Sequence, residues 1–236
     1  MSKPRDPIIR DCHSAPAIYA YVDRRVTITL VHICYSRISA RMRLLLVADS
    51  HGRGMGSVIH RLNTDWTVMT VRVSSQTSAV RERYVQRLSE IKQYEPEAII
   101  LHVGHNDLSH HEYYNPTPKH VKDFFPSVLE FVRLLQGNHP SARVFYSSVF
   151  PRSTGPTMSD KERRSYNKLA SRFGALTQST CTKEEIRFML NGVLWISVRQ
   201  AKENPDFFLD DGLHLCKDGQ EIVAREWIST VGDTAV

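Results

Sequence analysis

The chain has 236 residues, 41% hydrophobic and 24% charged, enough for one globular domain with a substantial core. No apolar run approaches the roughly 18 residues that a membrane span needs. The four cysteines, Cys12, Cys34, Cys181 and Cys216, form no CxxC pair, which argues against a zinc site or a disulfide framework. The net charge of +6 sits mostly in residues 1–43, with eight basic side chains against three acidic ones, so the rest of the chain is close to neutral.

Residues 1–42 read as a basic extension ahead of a domain at 43–236. Pro4, Pro7 and Pro16 punctuate it, and Val26–Val31 alternates like a strand. Three acidic residues precede a short mixed stretch, so it lacks the apolar core of a secretory signal. A poorly ordered appendage and a nucleic-acid tether both fit its composition. Met42, at the composition shift, is a candidate alternative start. Unpaired cysteines point to a reducing, cytoplasmic compartment. No signal in the sequence sets an oligomeric state.

From Leu44 apolar strands alternate with helical patterns. Leu44–Ala48 is a buried run that ends in Asp49-Ser50, followed by Gly52 and Gly54. Met55, Val58, Ile59 and Leu62 follow at helical spacing, so the glycines mark a tight strand-to-helix turn. Val68–Val73 is the second strand, and Val80, Tyr84, Leu88 and Ile91 mark the next helix. Ala98–Val103 is the third strand. Val121 to Leu135 is a long helix, ended by Gly137-Asn138 and Pro140. Arg143–Phe150 is the fourth strand and Ser159–Leu176 a helix. Thr182 and Glu185 resemble a capping box opening a short helix that Gly192 would end, and Val193–Val198 is the fifth strand. Val223, Trp227 and Val231 lie on a last helix. Five apolar strands between amphipathic helices predict an α/β fold, a three-layer α/β/α sandwich around a parallel sheet. Its functional residues should then lie at the carboxyl ends of the strands.

Three motifs fall at such ends. The turn after strand one lifts Ser50 to a helix N-terminus, where it is either a nucleophile or a helix cap. After strand three, Gly104-His105-Asn106-Asp107 projects the Asn106 carboxamide, which is either a donor to an oxyanion or the closure of an Asx-turn. Near the C-terminus, Asp211-Gly212-Leu213-His214 lets Asp211 reach the His214 ring if the glycine makes a turn, and is otherwise a polar surface loop. Asp49 and Asp107 read as holders of loop N–H groups. His102, His105, His110 and His111 cluster without a metal-ligand pattern such as HExxH, so no metal is expected. His105 is a candidate for the substrate entrance. Tyr113, Tyr114 and Pro116 suggest either a lid or a plain loop. Arg53 is either a substrate contact or a solvated side chain.

Taken together, these blocks resemble the SGNH (GDSL-type) hydrolase superfamily over about residues 43–231. Ala48-Asp49-Ser50 resembles the first block, Gly104–Asp107 the third, and Asp211–His214 the fifth. Ser147–Arg152 and Asn167 resemble a narrower group, the esterase-like domains of LINE-type retroelement proteins and their cellular relatives. The resemblance implies a flavodoxin-like five-stranded sheet and a serine esterase with Ser50 as nucleophile, His214 as base and Asp211 as its orienter. It also implies an oxyanion hole from Asn106, the Ser50 N–H and an N–H near Ser75, with no metal or organic cofactor. The substrate would be a small-molecule, lipid or carbohydrate ester, and nucleic acid would be met only through the extension. A non-catalytic binding module on the same fold is the alternative. Two departures stand out: Ala48 replaces the first-block glycine, and Ser74–Ser78 lacks the second-block glycine. A non-glycine residue there would be strained if the loop requires a positive φ.

Overall fold

The computed structural model describes residues 41–109, 118–156, 158–183, 186–191, 194 and 206–233. Within them run β1 (Met42–Ala48), α1 (Met55–Leu62), β2 (Trp66–Arg72), α2 (Thr77–Gln86), α3 (Leu88–Tyr94), β3 (Ala98–His102) and α4 (His105–Ser109). Then follow α5 (Pro118–Asn138), β4 (Arg143–Ser147), α6 (Asp160–Lys183), β5 (Arg187–Met189) and α7 (Lys217–Gly232). All strand pairs are parallel, in the order β2-β1-β3-β4-β5.

The two-residue period of the central strand builds the layers. Leu44, Leu46 and Ala48 face α1 and α7, packing with Met55, Ile59, Val223 and Trp227. Leu45 and Val47 face the other way, toward Val80, Ile91, Val128 and Phe173 on α2, α3, α5 and α6. Both faces of β1 are therefore covered, which is why its sequence is a continuous apolar run with no polar alternation. The result is the expected α/β/α sandwich. The sheet order reverses between β1 and β3, and in open parallel sheets ligands bind beyond the carboxyl ends of the strands at such a switch point.

Several boundaries differ from the sequence reading. Met42, placed in the extension, is the first residue of β1 and pairs with Trp66. The pattern over Val80–Ile91 breaks at Arg87 into two helices. The fourth strand stops at Ser147. The largest departure concerns the fifth strand. α6 runs on to Lys183, so Thr182 lies in its last turn, its hydroxyl bonded to the Gln178 carbonyl at 3.0 Å, and does not open a new helix. The strand beside β4 is Arg187–Met189, not Val193–Val198. Of the latter segment only Leu194 is described, and it is helical. A three-residue edge strand that begins with an exposed Arg187 carries too short a pattern to be recognised. Glu185, Gly192, His110, His111, Tyr113, Tyr114, Pro116 and residues 1–40 lie outside the described residues.

Candidate active site

Ser50 opens a single 3-10 turn, Ser50–Gly52, and does not stand at an α-helix N-terminus. α1 starts at Met55, after Gly54 at a φ of 77°, so the α-helical dipole is displaced from Ser50. The turn is held by Asp49, whose Oδ1 accepts the His51 N–H at 3.0 Å. A Cβ at Gly52 would overlap the Cβ of Ala48. Gly52 thereby makes room for the alanine that stands where the resemblance expects glycine. The Ser50 N–H has no hydrogen-bond partner among the described residues.

Across the switch point, Gly104 at a φ of 114° turns the chain from β3 into α4. Asn106 Nδ2 donates to the Ser75 carbonyl at 3.0 Å and to Ser50 Oγ at 3.4 Å. The next residue, Asp107, accepts from the Thr77 N–H at 3.0 Å and from its hydroxyl at 2.8 Å. That pins the start of α2, and with it the loop that contains Ser75. The described residues contain one non-glycine with positive φ, Glu95, so the glycine-free loop closes without left-handed strain at Ser75. The Ser75 N–H is unpartnered among the described residues.

The third motif is a closed turn. Asp211 Oδ1 accepts the N–H groups of Leu213 at 2.8 Å and His214 at 3.0 Å, while Oδ2 meets His214 Nδ1 at 2.7 Å. Burial pushes the Asp211 pKa up, but these bonds outweigh it and hold the carboxyl below its usual range. With Nδ1 on the carboxylate, Nε2 is the nitrogen left to exchange a proton. Ser50 and His214 are not hydrogen-bonded to each other. Such bonds are often long before substrate arrives.

A histidine that the sequence reading passed over lies between them. His51 is 6% exposed, and its ring stacks on that of His214 with centroids 5.1 Å apart. On its other side it stacks on His105 at 3.9 Å, and the His105 ring meets that of His102 edge-on at 4.6 Å. His51 Nδ1 is 3.3 Å from Ser50 Oγ and 3.3 Å from Asp49 Oδ1. The signal was its adjacency to Ser50, but i and i+1 side chains rarely face one site, so spacing alone did not single it out.

His105 does not line an entrance: it is fully buried. Its Nε2 accepts the Phe150 N–H at 2.7 Å, which assigns the proton to Nδ1, 3.2 Å from Asp49 Oδ2. Asp49 also accepts the His105 N–H at 3.1 Å. Burial raises the Asp49 pKa, yet the contacts to His105 and His51 prevail and hold it well below the usual range. His51 is pushed down to about 4, first by burial and then by its neighbour His105, against the pull of Asp49. Burial also drives His102 well below its usual value, and both its ring nitrogens lack partners. Among the described residues, Asp49, His51 and His105 are the group whose donor atoms lie close enough together to hold an ion, within 4.8 Å of one another. In this arrangement the imidazole nitrogens facing Asp49 serve as hydrogen-bond donors.

The loop after β4 braces these motifs. The buried Arg152 guanidinium lies 4.0 Å over the Tyr166 ring and donates to Ser109 Oγ at the end of α4. Asn167 accepts the Arg152 N–H at 2.7 Å and donates to its carbonyl at 2.9 Å. The Ser153 N–H donates to the Gly212 carbonyl at 2.9 Å. A Cβ at Gly212, which has a φ of 67°, would fall 2.7 Å from the Thr154 carbonyl oxygen, so the turn and the brace touch through backbone. Arg53, by contrast, is exposed.

A flavodoxin-like parallel sheet with a serine, a carboxamide and an Asp–His pair beyond its carboxyl edge has the layout of a hydrolase. The profile of the GDSL-like Lipase/Acylhydrolase family matches residues 48–222, more than half of the chain. The chain belongs to that family and is a hydrolase acting on ester bonds. No curated protein sequence matches it. Among solved structures it is similar to a GDSL-like lipase from Bacteroides thetaiotaomicron, with a TM-score of 0.61, 16% identity, and coverage of 82% of this chain and 89% of that one. It is also similar to an acetyl-xylooligosaccharide esterase from Geobacillus stearothermophilus, with a TM-score of 0.59, 14% identity, and coverage of 85% and 98%. A lipase/acylhydrolase from Enterococcus faecalis gives a TM-score of 0.55 at 15% identity, covering 81% and 96%. At these identities the likeness concerns the fold. No helix among the described residues is long and apolar enough to cross a membrane.

Proposed function

We propose that the chain is a serine esterase that cleaves a carboxylic ester, with acetyl esters as the first class to test, through an acyl-enzyme on Ser50. The observation that carries this reading is that Ser50 Oγ lies 3.4 Å from Asn106 Nδ2 across the β1/β3 switch point, while His51 beside it stacks on His214, whose Nδ1 is held on the Asp211 carboxylate at 2.7 Å. Ser50 Oγ attacks the acyl carbon as His214 Nε2 takes its proton. The oxyanion is held by Asn106 Nδ2, the Ser50 N–H and the Ser75 N–H. His214 returns the proton to the leaving alcohol, and water then repeats the sequence to release the acid. Asp211 keeps the imidazole in the productive tautomer and stabilises the imidazolium. The acetyl preference draws support from the acetylxylan esterases among the similar structures, one of them a catalytic mutant with serine replaced by alanine. Residues 1–41 are in this reading a basic extension of the hydrolase domain.

A fluorophosphonate probe tests the reading. Wild type should be labelled, and Ser50→Ala should lose labelling and at least about 10³-fold in kcat on p-nitrophenyl acetate. Wild type that labels no faster than Ser50→Ala would sink the reading and leave the alternative, a binding module on a hydrolase fold whose basic extension contacts nucleic acid.

A further inference from the structure

The buried imidazole beside Ser50 has no part in the mechanism above, yet it touches two members of the site. Its Nδ1 cannot act as a second base oriented by Asp49, because one nitrogen faces both Ser50 Oγ and Asp49 Oδ1, each at 3.3 Å. A lone pair on Nδ1 would lie 3.3 Å from a buried carboxylate oxygen, so the neutral ring carries its proton there. That N–H is shared between Asp49 and Ser50. Ser50 Oγ then receives two N–H donors, from His51 at 3.3 Å and from Asn106 Nδ2 at 3.4 Å. Both of its lone pairs are occupied, and the hydroxyl hydrogen must leave in the remaining direction. The His51 ring also lies face to face with His214, 5.1 Å between centroids, which fixes the plane in which that ring can sit.

We propose that His51 is a positioning residue for the reaction: its Nδ1–H, anchored on Asp49, orients the Ser50 hydroxyl so that its proton is presented to His214. This rests on the assignment of Ser50 and His214 given above. Asp49 therefore contributes twice, holding the turn through the His51 N–H and the tautomer through the ring. The groups facing His51 are Asp49 and Ser50 on its own turn, His105 on α4, and His214 on the C-terminal turn. None of them is an alternative acceptor for an Nε2 proton.

Two substitutions and one spectrum test this on the full chain. His51→Asn places an N–H₂ group where Nδ1–H stands, and His51→Phe keeps the stacked ring without the donor. The expected result is that His51→Phe loses on the order of 10- to 100-fold in kcat with an unchanged KM, at unaltered far-UV circular dichroism. His51→Asn should stay within about fivefold of wild type, because the one hydrogen bond is retained. Equal losses in both variants would reduce His51 to packing and overturn the proposal, as would full activity in His51→Phe. Nitrogen-15 histidine spectra of the wild type should show His51 as the neutral Nδ1–H tautomer at pH 7, and an Nε2–H form overturns the proposal without reference to activity. If wild type labels with fluorophosphonate but His51→Phe labels equally fast, only the positioning role fails. If wild type does not label, the esterase reading fails.

Discussion

The molecule contains two carboxylate–imidazole groups built from the same chemistry and placed in opposite surroundings. Asp211 and His214 sit on a turn with side chains 31% and 34% exposed, and one carboxylate serves one ring. Asp49 is wholly buried and serves two rings and two backbone N–H groups. In the proposed mechanism the half-buried pair is the one that handles the proton, at a place water can reach. The buried group keeps its His51 ring neutral near pH 7, since charging that ring without solvent is costly. One pair is suited to move a proton and the other to hold a shape, and burial, not residue type, makes the difference.

Three changes would break or sharpen that contrast. Asp211→Asn has the largest expected effect, about 10³–10⁴-fold in kcat on an acetyl ester. Its thermal unfolding should stay near that of wild type, because an asparagine Oδ1 can still accept the Leu213 and His214 N–H groups that close the turn. A large stability loss with intact kcat would reverse the roles assigned to the two groups.

The second change is pH. His51 titrates at about 4 in the fold against 6.5 when unfolded. The unfolded state therefore binds the extra proton between those values, so this contribution is fully present above pH 6.5 and is lost as the pH falls toward 4. It amounts to about 3 kcal/mol. Asp49, held low in the fold, adds a further loss as the pH falls below 3.8. Urea unfolding of wild type and His51→Asn from pH 7 to 4 should show a steeper decline for wild type. Parallel curves would mean that His51 is not held neutral by the fold.

The smallest effect concerns the turn itself. Gly52→Ala forces its new methyl onto Ala48 and should cost about 1–3 kcal/mol. The double change Gly52→Ala with Ala48→Gly should recover part of that loss in chemical denaturation. A double mutant no more stable than Gly52→Ala alone would detach Gly52 from the alanine at the strand end.

The layers and the order of motifs were legible in the sequence because they rest on local signals. The apolar run Leu44–Ala48 could only be a strand covered on both faces, and Gly104 and Gly212 occupy left-handed positions at the turns that carry Asn106 and Asp211. The fifth strand escaped that logic: three residues at a sheet edge have no period, and their pairing is decided by what β4 leaves open. The site divides in the same way. Ser50, Asn106, Asp211 and His214 announce themselves by motif, and their placement follows from strand order. His51 is not singled out by motif, and the buried roles of His105 and Arg152 are not encoded by theirs, since these act through contacts to Phe150, Ser109 and His214 that only the packed chain brings together. The sequence determined a parallel sheet with polar residues at its carboxyl edge. The tertiary structure alone decided which histidine is open to water and which is sealed beside Asp49, because burial is a property of the packed layers and of no single stretch of chain.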